Sequence, residues 1–541
     1  MESFNNAEQC WKTILADVQG KKNLLSTIKQ FALDNKGITK VVFGTSGWRG
    51  EIGSDYTFNN VRIVTAAIIE LFKADDIEVM KAMGVKNFEE IKKRGVIVGH
   101  DNRFLGPDFA HDVMGLLHEA GIKVYYSAET TTPEFSTAIL ELNAACSINL
   151  TPSHNPANWA GFKFNPSDGG PAGPEITKVI ENIANRMMND GTIIDAPSDP
   201  VTENINPIEL YKKFILKRGT IDLDKIKKFM AEQDVFICVD HVHGSTRTRP
   251  QSIIDDSPKI KYLRTEDDYL FGGIAPEPSA KNLTPAISAL NASKAKFKLG
   301  VIMDPDGDRI RFTDGINDIS MNHFGAMALH FLFKYKGIKG LLVKSVATSN
   351  FANAVARKLN IKINETMVGF KNFRPFLLPS SKNKAIVTFE ESDGISAFNH
   401  TLEKDSMFGL LLAIEMMADT GKNIGDYLKD IREEFGYFYP DRSGISVDRS
   451  LVGAPLIQKL KAIGERLKVG ASVNVGSNVK TVKEVITLDG TKVVFDDDSW
   501  LLIRPSGTEP KVRFYIETRS AEEKEIMFKT AEEITAKAIA S

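Results

Sequence analysis

The sequence has little cysteine, no long apolar run and almost no net charge. Its cysteines, Cys10, Cys146 and Cys238, are too few and too widely spaced for a disulfide framework or a CxxC metal site, which suits a reducing compartment. No apolar stretch approaches the ~20 residues of a membrane-spanning helix, and the N-terminus lacks the features of a signal peptide. A formal net charge of −2 offers no global basic field to nucleic acid or to an anionic membrane. We therefore expect a cytoplasmic protein that acts on neither.

Length and pattern favour several α/β domains. A chain of 541 residues is too long to fold around a single hydrophobic core. Its content of 42% hydrophobic and 26% charged residues is typical of globular proteins. Short apolar runs alternate with helical stretches, which predicts βα units and a mostly parallel sheet. Strands are expected at 96–99, 122–126, 146–150, 235–239, 298–303, 340–345 and 384–389, and helices at 7–34, 107–120 and 133–143.

The C-terminal part differs in character. VKTVKEVITLDGTKVVF predicts two paired strands around a DG turn at 489–490, with a closing helix from about 520. This pattern indicates a smaller α+β domain. Polar, Pro-containing segments near 195–207, 315–320 and 436–444 are candidate domain boundaries.

One candidate functional segment is TPSHNP, directly after the apolar strand CSINL. Ser153 stands at its centre with His154 beside it, and Pro152 and Pro156 stiffen the loop. Ligands of parallel sheets bind where strands end. Serine, asparagine and proline are also ordinary turn residues, so this segment alone is compatible with a plain turn.

A second segment, DPDGDR, also follows an apolar strand. Asp304, Asp306 and Asp308 occupy alternate positions, and in an extended loop three such carboxylates can converge on one hard cation. Like charges packed together repel one another unless a cation neutralises them, which favours metal over a solvated acidic turn. An EF-hand is excluded, because Arg309 and Gly315 stand where that loop needs glycine and glutamate. The set suits Mg²⁺ with an open position for a phosphate oxygen.

Three weaker segments complete the set. FEESDG offers carboxylates and a hydroxyl to a polar ligand. RPSGTEP offers a planar arginine side chain and small hydrogen-bond donors to a phosphate. GTSGWRG combines flexible glycines with the positively charged Arg49. None matches a Walker A or GxGxxG nucleotide motif. Each is also compatible with a solvated loop or a plain turn.

In the order GTSGWRG, TPSHNP, DPDGDR, FEESDG and RPSGTEP, these segments resemble those of the α-D-phosphohexomutase family, which includes phosphoglucomutase and phosphomannomutase. The resemblance spans residues 43 to about 516. It implies four domains around a central cleft, three of them similar α/β domains and the last a smaller α+β domain. The implied boundaries are 1–205 with the phosphoserine loop, 206–317 with the metal loop, 318–435 with the sugar-recognition loop and 436–541 with the phosphate-binding loop.

The resemblance also implies roles for individual residues. Ser153 would be the phosphoserine, holding Mg²⁺ through its phosphoryl group together with Asp304, Asp306 and Asp308. Catalytic roles would fall to Ser153, His154, Lys163 and Arg49, and substrate binding to Arg309, Glu390, Ser392, Lys404, Arg504, Ser506, Gly507 and Thr508. The expected reaction interconverts hexose 1-phosphate and hexose 6-phosphate, with hexose 1,6-bisphosphate as intermediate and activator.

Departures from the family pattern leave the sugar open. Pro152 replaces a commoner alanine, and the sugar-recognition loop begins with Phe389 and ends Asp393-Gly394. Lys404 and the chain length favour glucose over mannose or an amino sugar. The alternatives are a phosphomannomutase and a dual-specificity phosphoglucomutase/phosphomannomutase. A sugar-phosphate phosphatase and an inactive relative are more distant readings.

Overall fold

The computed structural model describes residues 4–44, 46–448, 451, 453–506 and 511–540. The chain divides into two compact units. The first unit comprises Met1–Asp318, Leu377–Pro379 and Gly394–Gly425, and the second comprises Ile319–Phe376, Ser380–Asp393 and Asp426–Ser541. None of the helices in the described ranges combines the length and hydropathy of a bilayer span.

The N-terminal part of the first unit is a mixed sheet flanked by helices. Its elements are α1 (Ala7–Ala16), α2 (Leu25–Asp34), β1 (Trp48–Glu51), α3 (Phe58–Lys73), α4 (Ile77–Met83), α5 (Phe88–Arg94), β2 (Val96–His100), α6 (Gly106–Glu119), β3 (Val124–Glu129), α7 (Thr132–Leu142), β4 (Cys146–Leu150), β5 (Trp159–Pro166), α8 (Pro174–Asn189), β6 (Glu203–Asn204) and α9 (Pro207–Arg218). The strand order is β1-β5-β4-β2-β3-β6. Strands β4, β2, β3 and β6 run parallel, whereas β5 is antiparallel to β1 and β4. The predicted parallel sheet is thus its core, with an antiparallel edge.

The prediction of a single helix over 7–34 is wrong, because two helices with a break between them occupy this segment. The first helix stops at Ala16, and Asp17 Oδ1 accepts the N–H of Gly20 at 2.9 Å. A side chain that satisfies a nearby backbone donor competes with helical hydrogen bonds and ends the helix. The chain turns here, and α2 follows a short 3₁₀ segment at Lys22–Leu24.

The sheet places two loops side by side. Strands β2 and β4 are entirely buried and pair in parallel, with His100 opposite Leu150. Since parallel neighbours end at the same edge, Asp101 and Thr151 begin adjacent loops there. Helix α7 starts at this edge as well, where the Thr131 N–H donates to Glu134 Oε2 at 2.8 Å.

A second sheet in the first unit carries the acidic loop. Its elements are α10 (Leu223–Glu232), β7 (Val235–Asp240), α11 (Arg249–Ile254), β8 (Ile260–Leu263), α12 (Thr284–Ala292), β9 (Phe297–Met303), β10 (Ile310–Thr313) and β11 (Asp318–Ile319). Strand β7 lies between β8 and β9 and is parallel to both, and β9 and β10 are antiparallel. Met303 pairs with Ile310, so residues 304–309 form the turn of this hairpin.

The following segment contributes to both units. Its elements are α13 (Met321–Lys334), β12 (Leu341–Ser345), α14 (Phe351–Lys358), β13 (Ile363–Thr366), α15 (Arg374–Leu377), β14 (Ala385–Glu390), β15 (Gly394–Ala397), α16 (Ser406–Thr420) and α17 (Ile424–Phe435). In the second unit β12 runs parallel to β13 and β14. In the first unit, the Ser406 hydroxyl at the start of α16 donates to the Gly307 carbonyl at 2.6 Å, which ties α16 to the acidic loop.

The C-terminal part is an antiparallel sheet with two helices. Its elements are β16 (Tyr439–Ser446), α18 (Ala454–Arg466), β17 (Ser472–Val475), β18 (Asn478–Ile486), β19 (Thr491–Phe495), β20 (Trp500–Pro505), β21 (Lys511–Thr518) and α19 (Lys524–Ala540). The strand order is β16-β21-β20-β19-β18-β17. The hairpin predicted around 489–490 is confirmed as β18 and β19.

These sheets confirm the predicted multi-domain α/β fold with an α+β C-terminal part. The boundaries 1–205, 206–317, 318–435 and 436–541 stay a prediction.

Candidate active site

The three predicted metal-binding carboxylates lie in the turn between β9 and β10. Asp304, Asp306 and Asp308 are all buried, and each has an oxygen within 4.8 Å of the others. Asp304 Oδ1 closes the turn from within, because it accepts the N–H of Asp308 at 3.0 Å and that of Arg309 at 2.9 Å. Gly307, with φ of +67°, supplies the left-handed position that the turn requires. The alternate carboxylates therefore converge on one point.

Two of these carboxylates each have a buried oxygen that accepts no hydrogen bond from the described residues. Among the described residues, none donates a hydrogen bond to Asp306 Oδ1 or Asp308 Oδ1, although both atoms are buried. Burial, together with the charges of Asp306 and Asp308, raises the pKa of Asp304 well above its ordinary value. Such a cluster is unfavourable without a compensating charge. Carboxylate oxygens are the donors that hard divalent cations prefer, so the set could hold a metal ion.

Ser153 lies against this loop, on the turn after β4. Its Oγ donates a hydrogen bond of 2.8 Å to Asp304 Oδ2, and His154 Nδ1 lies 3.4 Å from the same Oγ. Its backbone N–H donates to Thr151 Oγ1 at 3.0 Å, and its φ of +59° lies in the left-handed region. A non-glycine residue there is held against a cost of about 1 kcal/mol. The juxtaposition of serine and acidic loop, on which the sequence interpretation depends, is present.

A buried arginine missed by sequence reasoning holds the serine turn in place. Arg103 donates to the backbone carbonyl oxygens of Ser153 at 2.7 Å, Asn155 at 2.5 Å and Pro156 at 2.6 Å. Its Nε donates to Asp101 Oδ2 at 3.2 Å. The rigid guanidinium fork can serve several carbonyls at once. A signal was available, because DNR follows the strand VIVGH just as TPS follows CSINL.

Two buried lysines neutralise part of the acidic charge. Lys163 on β5 donates to Asp306 Oδ2 at 2.6 Å and to Asp308 Oδ2 at 3.2 Å. Lys404 Nζ lies 3.1 Å from Asp308 Oδ2 and 3.2 Å from Glu403 Oε1. Burial by itself would lower the pKa of Lys163, but the charges of Asp306 and Asp308 outweigh burial and raise that pKa above its ordinary value. Lys163 is therefore positively charged at neutral pH.

Two arginines add positive charge beside the acidic loop. Arg309 Nε lies 3.6 Å from Asp308 Oδ1, and Arg49 in β1 donates to Asn155 Oδ1 at 2.8 Å. Burial and repulsion by Arg309 lower the pKa of Arg49 to about 10, which leaves Arg49 charged at neutral pH. Positively charged side chains gathered next to an acidic cluster that could hold a metal ion suit a phosphate group.

Thr132 links helix α7 to the acidic loop. Its Oγ1 donates to Asp306 Oδ2 at 2.7 Å and accepts hydrogen bonds from Asn149 Nδ2 at 3.0 Å and from Lys163 Nζ at 3.1 Å. Its backbone N–H donates to the Asp306 carbonyl at 2.8 Å. Sequence reasoning missed Thr132, because threonine at the start of a helix is an ordinary capping signal. It missed Asn149 because that residue stands inside the apolar strand CSINL.

The predicted sugar-recognition residues lie in the second unit, where β14 ends. Glu390 is buried, and its Oε1 accepts the N–H of Gly369 at 2.7 Å. Ser392 is half-buried in the turn that follows. Glu391 faces inward, since its Oε2 accepts a hydrogen bond from Ser345 Oγ at 2.9 Å. Glu391 therefore holds the loop, and Glu390 and Ser392 are the candidates for a ligand.

The predicted phosphate-binding arginine also lies in the second unit, at the end of β20. Arg504 Nε donates to Asp489 Oδ1 at 2.8 Å. Burial would lower the pKa of Arg504, but its hydrogen bond to Asp489 and the charge of that carboxylate raise it. Ser506, which follows Arg504 closely in the sequence, is buried. Gly507 and Thr508 lie outside the described residues.

Comparison with known proteins gives matches along most of the chain. Residues 40–190 match the family model for phosphoglucomutase/phosphomannomutase alpha/beta/alpha domain I, residues 320–435 that for alpha/beta/alpha domain III, and residues 456–533 that for the C-terminal domain. A phosphoglucomutase of Staphylococcus haemolyticus is 23% identical over 88% of this chain and 90% of its own length. A phosphoglucomutase/phosphomannomutase of Thermococcus kodakarensis is 26% identical over 89% of this chain and 95% of its own length. The crystal structure of a protein described as a phosphomannomutase from Thermus thermophilus superimposes with a TM-score of 0.74 at 25% identity, covering 92% of this chain and 100% of that one.

Proposed function

Because this chain belongs to the α-D-phosphohexomutase family, we propose that it isomerises a hexose phosphate by phosphoryl transfer through Ser153. The observation that carries the proposal is the 2.8 Å hydrogen bond from Ser153 Oγ to Asp304 Oδ2, which sets a nucleophile against the acidic loop. The proposed substrate and product are hexose 1-phosphate and hexose 6-phosphate, with glucose as the preferred sugar. Hexose 1,6-bisphosphate is the proposed intermediate and activator.

Mg²⁺ is the metal ion proposed for the acidic loop. Asp304, Asp306 and Asp308 would hold it together with an oxygen of the phosphoryl group on Ser153. The Oδ1 atoms of Asp306 and Asp308, which are buried and accept no hydrogen bond from the described residues, support this assignment. When bound, the ion supplies charge compensation to the phosphoryl group.

The transfer begins from phosphorylated Ser153. The bond between phosphorus and Ser153 Oγ breaks and a bond between phosphorus and a sugar oxygen forms. The proton of the sugar hydroxyl ends on Ser153 Oγ, which leaves as the free serine hydroxyl. Such a transfer needs in-line positioning and compensation of charge on the equatorial oxygens more than covalent help. Lys163 and Arg309 supply fixed positive charge beside the reacting group, and His154, 3.4 Å from Oγ, is placed to exchange a proton.

The bisphosphate must then turn end for end and return its other phosphoryl group to Ser153. One binding arrangement therefore has to accept two opposed orientations of the sugar. Arg504 and Ser506, with Gly507 and Thr508, are proposed to hold whichever phosphate is not reacting. Glu390, Ser392 and Lys404 are proposed to bind hydroxyl groups that both orientations present.

The preference for glucose is supported by the relatives named phosphoglucomutase. The Thermococcus relative is named for both sugars, so a dual-specificity enzyme is the second candidate. A phosphatase would use the same phosphoserine but transfer its group to water. Release of free phosphate without isomer formation would identify that case.

The test is a mutase assay on glucose 1-phosphate and mannose 1-phosphate side by side, with Mg²⁺ and hexose 1,6-bisphosphate present. Ser153→Ala is expected to abolish turnover without loss of the fold. Ser147→Ala is the matched control, because Ser147 is a buried serine on β4 whose Oγ forms no hydrogen bond with the described residues. Wild-type activity in purified Ser153→Ala would refute the assigned nucleophile.

A further inference from the structure

Asp489 engages two different segments of the second unit with its two carboxylate oxygens. Oδ1 accepts a hydrogen bond from Arg504 Nε at 2.8 Å, and Oδ2 accepts the backbone N–H of Val368 at 3.0 Å. The ion pair is largely shielded, with side-chain exposures of 18% for Arg504 and 19% for Asp489. Its Coulombic attraction is therefore screened less than that of an exposed pair.

The hairpin turn that carries Asp489 lies directly on the strand of Arg504. Gly490 has φ of +86°, and a Cβ atom added there would lie 2.5 Å from the Ile503 carbonyl oxygen and 3.0 Å from Arg504 Cα. Any other residue would strain this conformation and push the turn off β20. The glycine thus allows the close approach that puts the Asp489 carboxylate beside the guanidinium.

The second contact of Asp489 leads to the sugar-recognition loop. Successive N–H groups bind the two carboxylates, since the Val368 N–H binds Asp489 and the Gly369 N–H binds Glu390 Oε1 at 2.7 Å. Asn372 Nδ2 donates to the Val368 carbonyl at 3.1 Å and holds this segment. A continuous chain of hydrogen bonds therefore runs from Arg504 through Asp489 and residues 368–369 to Glu390.

We propose that Asp489 is a positioning residue that holds Arg504 at a fixed distance from Glu390. This inference rests on the proposed function. The distance between the phosphate and the hydroxyls of one hexose phosphate is set by its covalent structure. The side chains that bind the phosphate and those that bind the hydroxyls must therefore be held at a fixed separation, for both orientations of the sugar. The ion pair uses the Nε atom of Arg504. Its two Nη groups can then donate hydrogen bonds to the phosphate.

Asp489→Asn tests this role. The amide oxygen can still accept the Val368 N–H, but the amide NH₂ group would face Arg504 Nε, and two donors repel. We expect KM for hexose 1-phosphate to rise on the order of ten-fold with kcat changed less than about three-fold, as for a lost binding interaction. Asp498→Asn is the matched control: Asp498 lies in the next hairpin turn, is exposed, and pairs with exposed Lys483 at 2.6 Å. Its KM should equal that of the wild type.

A double variant separates positioning from a general structural effect. If Asp489 acts through Arg504, adding Asp489→Asn to Arg504→Ala should raise KM no further, whereas independent effects would multiply. Calorimetric binding of glucose 6-phosphate gives a readout that does not need turnover, and Asp489→Asn should weaken it by a similar factor.

The outcomes distinguish this inference from the proposed function. An active wild type with unchanged KM and unchanged glucose 6-phosphate binding in Asp489→Asn would overturn the positioning role alone. Multiplying effects in the double variant would also overturn it. A wild type without mutase activity whose glucose 6-phosphate binding still depends on Asp489 would overturn the proposed function and support the positioning role. Absence of both turnover and binding in the wild type would overturn both.

Discussion

Replacing Thr132 with valine removes one hydroxyl and keeps the shape of the side chain. That hydroxyl donates to Asp306 Oδ2 at 2.7 Å and accepts hydrogen bonds from Asn149 and Lys163. The backbone hydrogen bond from Thr132 to Asp306 is retained, so the loop keeps its main-chain support. The substitution therefore tests the orientation of the Asp306 carboxylate.

The expected magnitude follows from burial. Thr132, Asn149 and Asp306 are at most 1% exposed, so no water replaces the lost partner. A hydrogen bond to a charged group contributes about 1.5–3 kcal/mol, and an unsatisfied buried amide costs about 1–3 kcal/mol. We expect the free energy of unfolding to fall by about 3 kcal/mol. Affinity for Mg²⁺ should fall about 10- to 100-fold, as is typical when a partner that orients a metal ligand is lost.

Urea unfolding without metal and calorimetric titration with Mg²⁺ measure the two effects separately. Thr132→Ser keeps the hydroxyl and should restore most of the affinity. Thr137→Val is the control for a buried threonine of the same helix, because Thr137 Oγ1 donates to the Glu134 carbonyl at 3.0 Å and not to the acidic loop. Wild-type Mg²⁺ affinity in Thr132→Val would show that this hydroxyl does not orient Asp306.

Two further predictions concern pH. Because burial and the neighbouring carboxylates raise the pKa of Asp304, a cation competes with a proton there more strongly than at an ordinary aspartate, so Mg²⁺ affinity should rise with pH. Calorimetry in buffers of different ionisation enthalpy should detect the released proton, and pH-independent affinity would contradict this. The pKa of Lys492 is lowered from an ordinary value of 10.5 to about 7, chiefly by burial. Between these two pH values the unfolded chain therefore binds more protons than the folded chain. Stability should therefore gain up to about 1.4 kcal/mol per pH unit over that range. Urea unfolding at pH 7 and pH 9 should show Lys492→Met losing this gain; an unchanged pH dependence would refute the assignment.

Sequence patterns predicted the strands and the loops at their ends because both signals are local. CSINL is completely buried as β4, and the serine turn and the acidic turn follow their strands directly. The break after Ala16 was missed, because an Asp17 side chain that accepts the N–H of Gly20 outweighed helical periodicity. Periodicity reports which face is apolar, but it does not report such side-chain competition.

The supporting residues were not predictable in the same way, because their partners are distant in sequence. Arg103 binds the carbonyl of Ser153, which lies 50 positions away. Thr132 binds Asp306 across 174 positions. Neither residue type is unusual where it stands, so only the packed structure distinguishes it from a structural arginine or a helix cap.

The acidic loop divides its oxygen atoms between the protein and the site. The Oδ2 atom of Asp306 is bound by Lys163 and Thr132, and that of Asp308 lies within 3.2 Å of two lysines. Their Oδ1 atoms accept no hydrogen bond from the described residues. Asp304 has the opposite arrangement, because its Oδ1 binds backbone N–H groups while its Oδ2 faces Ser153. One oxygen of each carboxylate is thus fixed by hydrogen bonds or ion pairs within the protein, and for this reason the cluster can be rigid before any ligand arrives.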